Sequence, residues 1–432
     1  MNESKSKIVN SEVCQITRLR NGLTVATMQM PHMASVSLGL WVGVGGRHEP
    51  GEVSGIAHFI EHLLFKGTKR RSAKQISQDI EGIGGYLNAF TGEENTCFYS
   101  KARHDRFDEL LDVLTDMFLN SRFDRVEIDK ERDVIKEELS MYLDQPHHHV
   151  QELLNEILWP DHPLGRSIAG TEQTLDTMNR ASLMKFQRAN YVTDATLVVA
   201  AGNLVHDEVV HAVSLVAGRF PKGTRASFLP APAAPERPRL RLFTKTVEQT
   251  QLALAIRTCS RHDERRFALR LLSTILGENM SSRLFQVVRE DHGLAYSIYS
   301  SPSLFDDAGA LTISAGLDTE KLYKALKLIL GQVWRLAEKA PGAAEMRRAR
   351  DYIIGQIDLS LESTENQMMW LGEQLLGYGK FSSADEVKAR LTKITAADVL
   401  GVARDFFRPE NLSLALVSPL KTDSELRKLL KM

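Results

Sequence analysis

Long apolar runs and closely spaced cysteines are both missing from this sequence of 432 residues. No segment approaches the roughly 20 consecutive apolar residues that a helix needs to cross a bilayer, so no membrane span is expected. The cysteines Cys14, Cys97 and Cys259 are far apart and have the spacing of neither a disulfide scaffold nor a zinc ribbon. A reducing compartment is therefore expected, most simply a cytoplasm.

An excess of charge of one sign is also missing, since 54 basic residues face 55 acidic ones and the formal net charge is -1. This balance gives no support to binding of nucleic acid or of a membrane surface. The segment from Met1 to Lys7 lacks the apolar stretch of a signal peptide, and Glu3 and Glu12 argue against a transit peptide. These residues favour a cytoplasmic location over the mitochondrial matrix.

What the sequence does contain is a pattern that occurs twice. Residues 35–40 resemble residues 250–255, and residues 191–197 resemble residues 406–412, each pair being 215 positions apart. The shared offset predicts an α+β protein of two homologous domains of about 200 residues, each a mainly antiparallel sheet packed against helices. Two unrelated domains with similar strands remain the alternative.

A change of composition separates the two copies. Four prolines, at 230, 232, 235 and 238, stand among alanine, glycine and serine. We interpret residues 221–238 as an extended linker, with an N-terminal domain at 1–220 and a C-terminal domain at 239–432.

The first copy contains the sequence His58-x-x-Glu61-His62. On a helix these three side chains share a face, and two imidazoles one turn apart suit Zn²⁺, with the carboxylate placed to take a proton from water. Ser54 is expected to cap this helix and Gly67 to close it. A separate apolar stripe is expected to face the core; it consists of Ile56, Phe59, Ile60 and Leu63.

The second copy has no such pair of histidines. At the same offset, the positions of His58, Glu61 and His62 are taken by Ser273, Leu276 and Gly277. The metal site is therefore predicted in the N-terminal domain alone.

A catalytic zinc needs a third protein ligand. In the helix expected from about Val126 to Leu143, Glu131 and Glu138 are two turns apart, with Val134 and Ile135 between them on the same side. A carboxylate among core residues is costly unless it is paired or binds a metal, which makes both glutamates candidates. Spacing alone does not separate Glu138 from Glu137.

The tract from His147 to His149 follows Pro146 and is interpreted as a solvated loop. Consecutive residues share no face of a regular element, and the tract lacks the spacing of zinc ligands.

Taken together, these motifs resemble the pitrilysin/insulysin family of zinc peptidases over nearly the whole chain. The matching segments are residues 58–62, 131–138, 84–91, 162–166 and 281–285. The similarity is greatest to the branch of the mitochondrial processing peptidase β subunit and its short bacterial relatives.

The resemblance implies a zinc metalloendopeptidase with one Zn²⁺ per chain. By motif position, His58, His62 and Glu138 are implied as the ligands, Glu131 as their support and Glu61 as the general base.

Further roles follow from the same resemblance. The strand carrying Asn88, Ala89, Phe90 and Thr91 is implied to bind a short or unfolded polypeptide as an added β-strand, presequence-like peptides included. In the second domain, Arg289 and Tyr296 are implied to hold a substrate carbonyl and to donate to the oxyanion.

Long members of the family hold four such domains in one chain, so a chain with two is expected to dimerise. Both the zinc motif and the Arg289/Tyr296 pair are present here, which favours a homodimer; whether that pair acts within its own chain or in the partner's site is open. The alternatives are a non-catalytic scaffold subunit and a catalytic subunit that needs an α-type partner. The α type carries a glycine-rich loop where this chain has the short, glycine-poor segment 276–281.

Overall fold

The computed structural model describes residues 6–10 and 14–430. Most of the segment from Met1 to Lys7, where no leader is expected, lies outside these residues, as does Glu12. The chain forms two compact units, each assembled from three segments. The first takes Met1–Leu139, Arg166–Leu229 and Ser360–Phe381; the second takes Ser140–Gly165, Pro230–Leu359 and Ser382–Met432.

The strands of the described residues are β1 (Ser6–Asn10), β2 (Cys14–Arg18), β3 (Thr24–Gln29), β4 (Ser35–Val42), β5 (Tyr86–Thr91), β6 (Thr96–Arg103), β7 (Thr196–Gly202), β8 (Arg239–Thr244), β9 (Thr250–Thr258), β10 (Ala295–Leu304), β11 (Gly309–Leu317) and β12 (Leu412–Ser418).

The α-helices of the same residues are α1 (Ile56–Leu64), α2 (Ala73–Glu81), α3 (Phe107–Asn120), α4 (Arg125–Asp144), α5 (Pro146–Leu158), α6 (Glu172–Thr177), α7 (Arg180–Asn190), α8 (His206–Ala217), α9 (Arg266–Ser273), α10 (Leu322–Glu338), α11 (Ala343–Ser360), α12 (Thr364–Tyr378), α13 (Ala384–Lys393), α14 (Ala396–Phe406) and α15 (Ser424–Leu430). No helix in this part of the chain is both long and apolar enough to cross a membrane.

Both units are built on a sheet of the same topology. The first sheet has the order β1-β2-β3-β7-β4-β6-β5 and the second the order β10-β11-β9-β12-β8, so β8 to β12 repeat the arrangement of β3 to β7. In each sheet the first of these strands pairs in parallel with the last, and the other pairs are antiparallel. This confirms the predicted α+β class with two homologous domains.

The register of the central strands shows the same relation residue by residue. Val36 of β4 lies opposite Gly202 of β7, and Gln251 of β9 lies opposite Val417 of β12. Gln251 stands 215 positions after Val36, and Val417 stands 215 positions after Gly202. The sequence repeat therefore extends to strand pairing.

Each unit also takes a helix from the half of the chain that mainly builds the other unit. α12 packs on the first sheet, where Met368 and Leu371 contact Trp41, and α5 packs on the alanine-rich face of the second sheet. Gly372 permits the close approach of α12, because a Cβ there would lie 2.3 Å from Cε2 of Trp41. The predicted domains, 1–220 and 239–432, each assign one of these helices to the other unit. The predicted linker, residues 221–238, contains neither helix nor strand.

The interpretation of His147 to His149 as a loop is wrong, because all three belong to the first turns of α5. Pro146 is the first residue of that helix, a position where its fixed φ is favourable and no amide donor is needed. His149 is buried against the ring of Phe243, with centroids 4.4 Å apart, whereas His147 and His148 are exposed.

Candidate active site

The helix α1 separates its apolar residues from its histidines. Ile56, Phe59, Ile60 and Leu63 are at most 1% exposed and pack in the core of the first unit. His58 and His62 lie on another side of the helix, with ring centroids 4.6 Å apart and side chains that are 13% and 21% exposed. The predicted core stripe is confirmed, and both imidazoles reach the edge of the solvent.

The start of α1 is capped by Glu49 and not, as expected, by Ser54. The helix begins one residue later because Gly55 takes the left-handed conformation, with φ of 95°, under the carbonyl of Ala169. The carboxylate of Glu49 accepts hydrogen bonds from the backbone N–H groups of Gly55 at 2.7 Å and Ala57 at 2.8 Å. Gly67 lies beyond the helix end, with φ of 113°, and turns the chain there instead of capping the helix.

The buried cap makes stability depend on pH. Burial raises the pKa of Glu49 from 4.5 to about 7, against the opposing effects of the two N–H groups and of Arg166. Because the folded chain binds this proton more tightly than the unfolded chain, the stabilisation is present below about pH 4.5 and is lost as the pH rises towards 7.

Glu49→Gln removes this titration. We expect the difference in melting temperature between wild type and variant to move by about 5 °C in favour of the variant between acidic and neutral pH. Thermal unfolding of both proteins across this range measures it, and a difference that stays constant with pH would contradict the raised pKa.

Three side chains form a group able to hold a metal ion. Oε2 of Glu138, from α4, lies 3.9 Å from Nε2 of His58 and 3.7 Å from Nε2 of His62. One candidate ligand atom from each residue lies within 4.8 Å of the other two, and within the described residues no other such group is found. Tetrahedral Zn²⁺ with bonds of about 2.0–2.1 Å places its ligand atoms about 3.4 Å apart, so this donor set fits zinc.

The protonation state of His58 suits a metal ligand. Burial, followed by the neighbouring charge of His62, lowers the pKa of His58 to about 4, whereas Glu138 acts in the opposite direction. His58 is therefore neutral at pH 7, and a neutral imidazole is the form that binds a metal.

The structure distinguishes Glu138 from Glu137, which spacing alone does not. Glu138 points to the histidines with 22% of its side chain exposed, whereas Glu137 is exposed and has no place in the group. The expected position of Val134 on the buried side is wrong, since it is 48% exposed; Ile135 alone lies in the core between Glu131 and Glu138. At about 100° per residue, Val134 and Ile135 lie about 50° to opposite sides of the direction that the two glutamates share, and the core lies on the side of Ile135.

Glu131 lies behind the histidines and is 4% exposed. Nδ1 of His62 donates to its Oε2 at 3.1 Å, and the ammonium group of Lys66 lies 2.8 Å from its Oε1. An N–H on Nδ1 leaves the lone pair of Nε2 directed at the metal group, so Glu131 selects the tautomer of His62.

Glu61 lies beside the metal group and contacts the end of β5. The hydroxyl of Thr91 donates to Oε2 of Glu61 at 2.5 Å. Burial raises the pKa of Glu61; Thr91 and His62 lower it, and Glu138 raises it further. The predicted base is thus joined directly to the strand predicted to bind substrate.

That strand, β5, is the last strand of the first sheet and pairs only with β6 among the described residues. The other edge of β5 is not paired with any strand of the described residues. Asn88 is exposed, whereas Ala89, Phe90 and Thr91 are half-buried. An extended peptide can therefore pair with this edge through backbone groups.

Arg289 and Tyr296 are neighbours in the second unit. Arg289 lies on a π-helical segment, Phe285–Glu290, and its guanidinium is 5.8 Å from the ring of Tyr296 on β10. Tyr296 is 76% exposed, so its ring and hydroxyl are available to another molecule.

Comparisons with known proteins give matches over most of the chain. The model described as insulinase, peptidase family M16, matches residues 24–172, and the model described as the M16 inactive domain matches residues 177–353. An uncharacterized zinc protease of Bacillus subtilis (strain 168) is 38% identical over 400 residues, which are 93% of this chain and 97% of that protein. This chain belongs to peptidase family M16.

A second family M16 relative, an uncharacterized zinc protease of Mycobacterium tuberculosis (strain H37Rv), is 39% identical over 396 residues, covering 90% of this chain and 89% of that one. These matches confirm the predicted family and a metallopeptidase as the class of enzyme. The metal in the relatives' names is the predicted Zn²⁺.

Solved structures of other proteins share the fold. A protease from Helicobacter pylori has a TM-score of 0.88 at 20% identity, covering 94% of this chain and 99% of that chain. The M16 inactive domain protein from Pseudomonas fluorescens also has a TM-score of 0.88, at 19% identity, covering 94% and 98%.

Two residues that support the family M16 site were missed from the sequence, Glu49 and Lys66. Lys66 stands four positions after His62, which is the spacing of neighbours on one helix face, and that signal was available. Glu49 offered no local signal, because it lies in a loop before the helix and reaches the cap only through the turn at 51–53.

Proposed function

We propose that this chain is a zinc metalloendopeptidase that hydrolyses short or unfolded polypeptides held as an added β-strand. One observation carries the proposal: the group His58, His62 and Glu138 lies next to Glu61, which is hydrogen-bonded to Thr91 at the end of an open sheet edge. The proposed metal ligands, the proposed general base and the proposed substrate strand all belong to the first unit.

In this mechanism His58, His62 and Glu138 hold one Zn²⁺ per chain. When bound, the ion supplies Lewis-acid chemistry, lowering the pKa of a water molecule and polarising a peptide carbonyl. Glu61 takes a proton from the attacking water and later donates it to the leaving amine. The hydrogen bond from Thr91 fixes the orientation of the Glu61 carboxylate for both transfers.

Substrate binding follows from the edge of β5. The backbone of Asn88 to Thr91 pairs with an extended peptide. Because the side chain of Thr91 is hydrogen-bonded to Glu61, this pairing brings a scissile bond close to Glu61. Because a folded protein seldom offers a free extended segment, the expected substrates are short or unfolded chains, presequence-like peptides among them.

The second unit contributes Arg289 and Tyr296. In the proposed homodimer the guanidinium holds a substrate carbonyl and the phenol donates to the oxyanion, in its own chain's site or in that of the partner. A bacterial cytoplasm is the proposed location.

Metal removal tests the function. The purified chain is expected to contain one zinc, to cleave a quenched unstructured peptide, to lose at least about 100-fold in rate after chelation and to recover when Zn²⁺, but not Mg²⁺, is returned. Activity that survives complete removal of the metal would overturn the proposal. Zinc binding without cleavage would instead favour an obligate α-type partner, and absence of both would favour a scaffold subunit.

A further inference from the structure

The mechanism proposed above gives Lys66 no role, but its contacts lead to the metal group. Its ammonium group is 2.8 Å from Oε1 of Glu131, while the other oxygen of that carboxylate accepts the N–H of His62. Glu131 is 4% exposed, and a carboxylate so deeply buried is costly unless both oxygens are compensated. Lys66 is thus the positive charge that compensates it.

The backbone around Lys66 is fixed by two helices. The N–H of Lys66 donates to the carbonyl of Leu63 at the end of α1, at 3.1 Å. Next to it, Gly67 accepts from the N–H of Arg122 at 3.2 Å, and the hydroxyl of Thr68 donates to the fully buried carboxylate of Asp116 on α3 at 2.6 Å. The backbone that carries Lys66 is therefore anchored to α1 and α3 and does not belong to a free loop.

We propose that Lys66 is a positioning residue for the metal site, acting through Glu131 on His62. The ion pair holds the Glu131 carboxylate where it accepts the Nδ1 proton of His62, and this leaves Nε2 of His62 facing Glu138 at 3.7 Å. This inference rests on the proposed function, because it concerns the zinc affinity of that site.

A simple Coulomb argument predicts the opposite sign. Lys66 is a positive charge near a site for a divalent cation, so its removal would strengthen zinc binding if direct repulsion dominated. We expect the orientation of Glu131 to outweigh this repulsion. The hydrogen bond from His62 to Glu131 acts directly on a metal ligand. The charge of Lys66 acts on the metal from farther away, and the charge of Glu131 opposes it. Weaker zinc binding after removal of Lys66 would therefore support its positioning role, and tighter binding would support direct repulsion.

The test measures the zinc dissociation constant by competition with a chromophoric chelator. Lys66→Met, which keeps the length of the stem without the charge, is expected to weaken zinc binding about tenfold, and Lys66→Arg to restore most of the loss. Lys69→Met is the matched control, since Lys69 is an exposed lysine of the same loop and is expected to leave the constant unchanged. The melting temperature of each metal-free protein reports whether the fold is intact.

A double-mutant cycle keeps the inference testable if Lys66→Met alone disturbs the fold. In a Glu131→Gln background, Lys66→Met is expected to change zinc affinity less than about twofold, because the path through Glu131 is already broken. An equal or tighter constant for Lys66→Met, or a tenfold effect that persists in the Glu131→Gln background, would overturn the role of Lys66. Failure of the wild type to bind zinc would instead overturn the proposed function.

Discussion

Glu61→Gln is expected to bind zinc as wild type does and to lose peptide hydrolysis by about 10²–10⁴-fold in kcat. Glutamine matches the shape of glutamate and can still accept the hydrogen bond that Thr91 donates at 2.5 Å. It cannot take a proton from water at neutral pH. The substitution therefore removes the base and leaves the three proposed ligands in place.

The test measures zinc content, steady-state kinetics and peptide binding on the same preparation. Together these separate loss of the base from loss of the metal. Glu81→Gln serves as the control because Glu81 is an exposed residue of α2 away from the metal group, and it is expected to behave as wild type. If Glu61→Gln loses zinc along with activity, Glu61 acts on the metal and not as the base. If it retains full activity, another group accepts the proton.

Glu138→Gln is expected to weaken zinc binding by more than 100-fold, since even partners behind a ligand typically cost 10- to 100-fold. Oε2 of Glu138 is within 4 Å of both imidazole Nε2 atoms, and a neutral amide there gives a poorer donor to Zn²⁺. Activity at limiting zinc should fall in parallel and recover in part at high zinc concentration.

The neighbouring residue provides a matched comparison. Glu137→Gln removes the same charge from the same helix at an exposed position, so its zinc affinity and activity are expected to stay within about twofold of wild type. Equal losses in the two variants would mean that the net charge of α4, and not a ligand at 138, determines the affinity.

The parts of the fold that follow from local periodicity were predictable from the sequence. The core stripe of α1 depends on neighbours in the chain, and this helix lies where the sequence indicates it. The repeat extends to strand pairing in the structure, where the same offset of 215 relates the pair of β4 and β7 to the pair of β9 and β12.

The errors concern contacts between distant segments. Ser54 is a residue type that often caps helices, but here Glu49 caps α1. Gly55 turns the chain with a positive φ, and the carbonyl of Ala169, more than one hundred residues away, leaves no room for a Cβ there. The exchange of α5 and α12 between the units has no signal in either helix. An amphipathic helix shows that it packs on a sheet, but not on which of two similar sheets.

The metal group was predictable only in part from the sequence. The spacing of His58 and His62 identifies one face of a helix, because both residues belong to the same element. Glu138 comes from another helix, and the choice over Glu137 came from resemblance; in the structure it follows from the direction of each side chain on α4. The spacing of Lys66 from His62 is visible in the sequence, but its contact with Glu131 depends on how α4 packs beside α1.

The exchanged helices have a consequence for the integrity of the chain. A protease that nicks the segment 221–238 cuts one covalent connection, but α12 from the C-terminal fragment still covers the first sheet and α5 from the N-terminal fragment still covers the second. The two fragments would have to unfold in part before they could separate. Each half of the gene, expressed by itself, lacks one helix of the unit that it mainly encodes, and we expect the uncovered sheet to impair its folding.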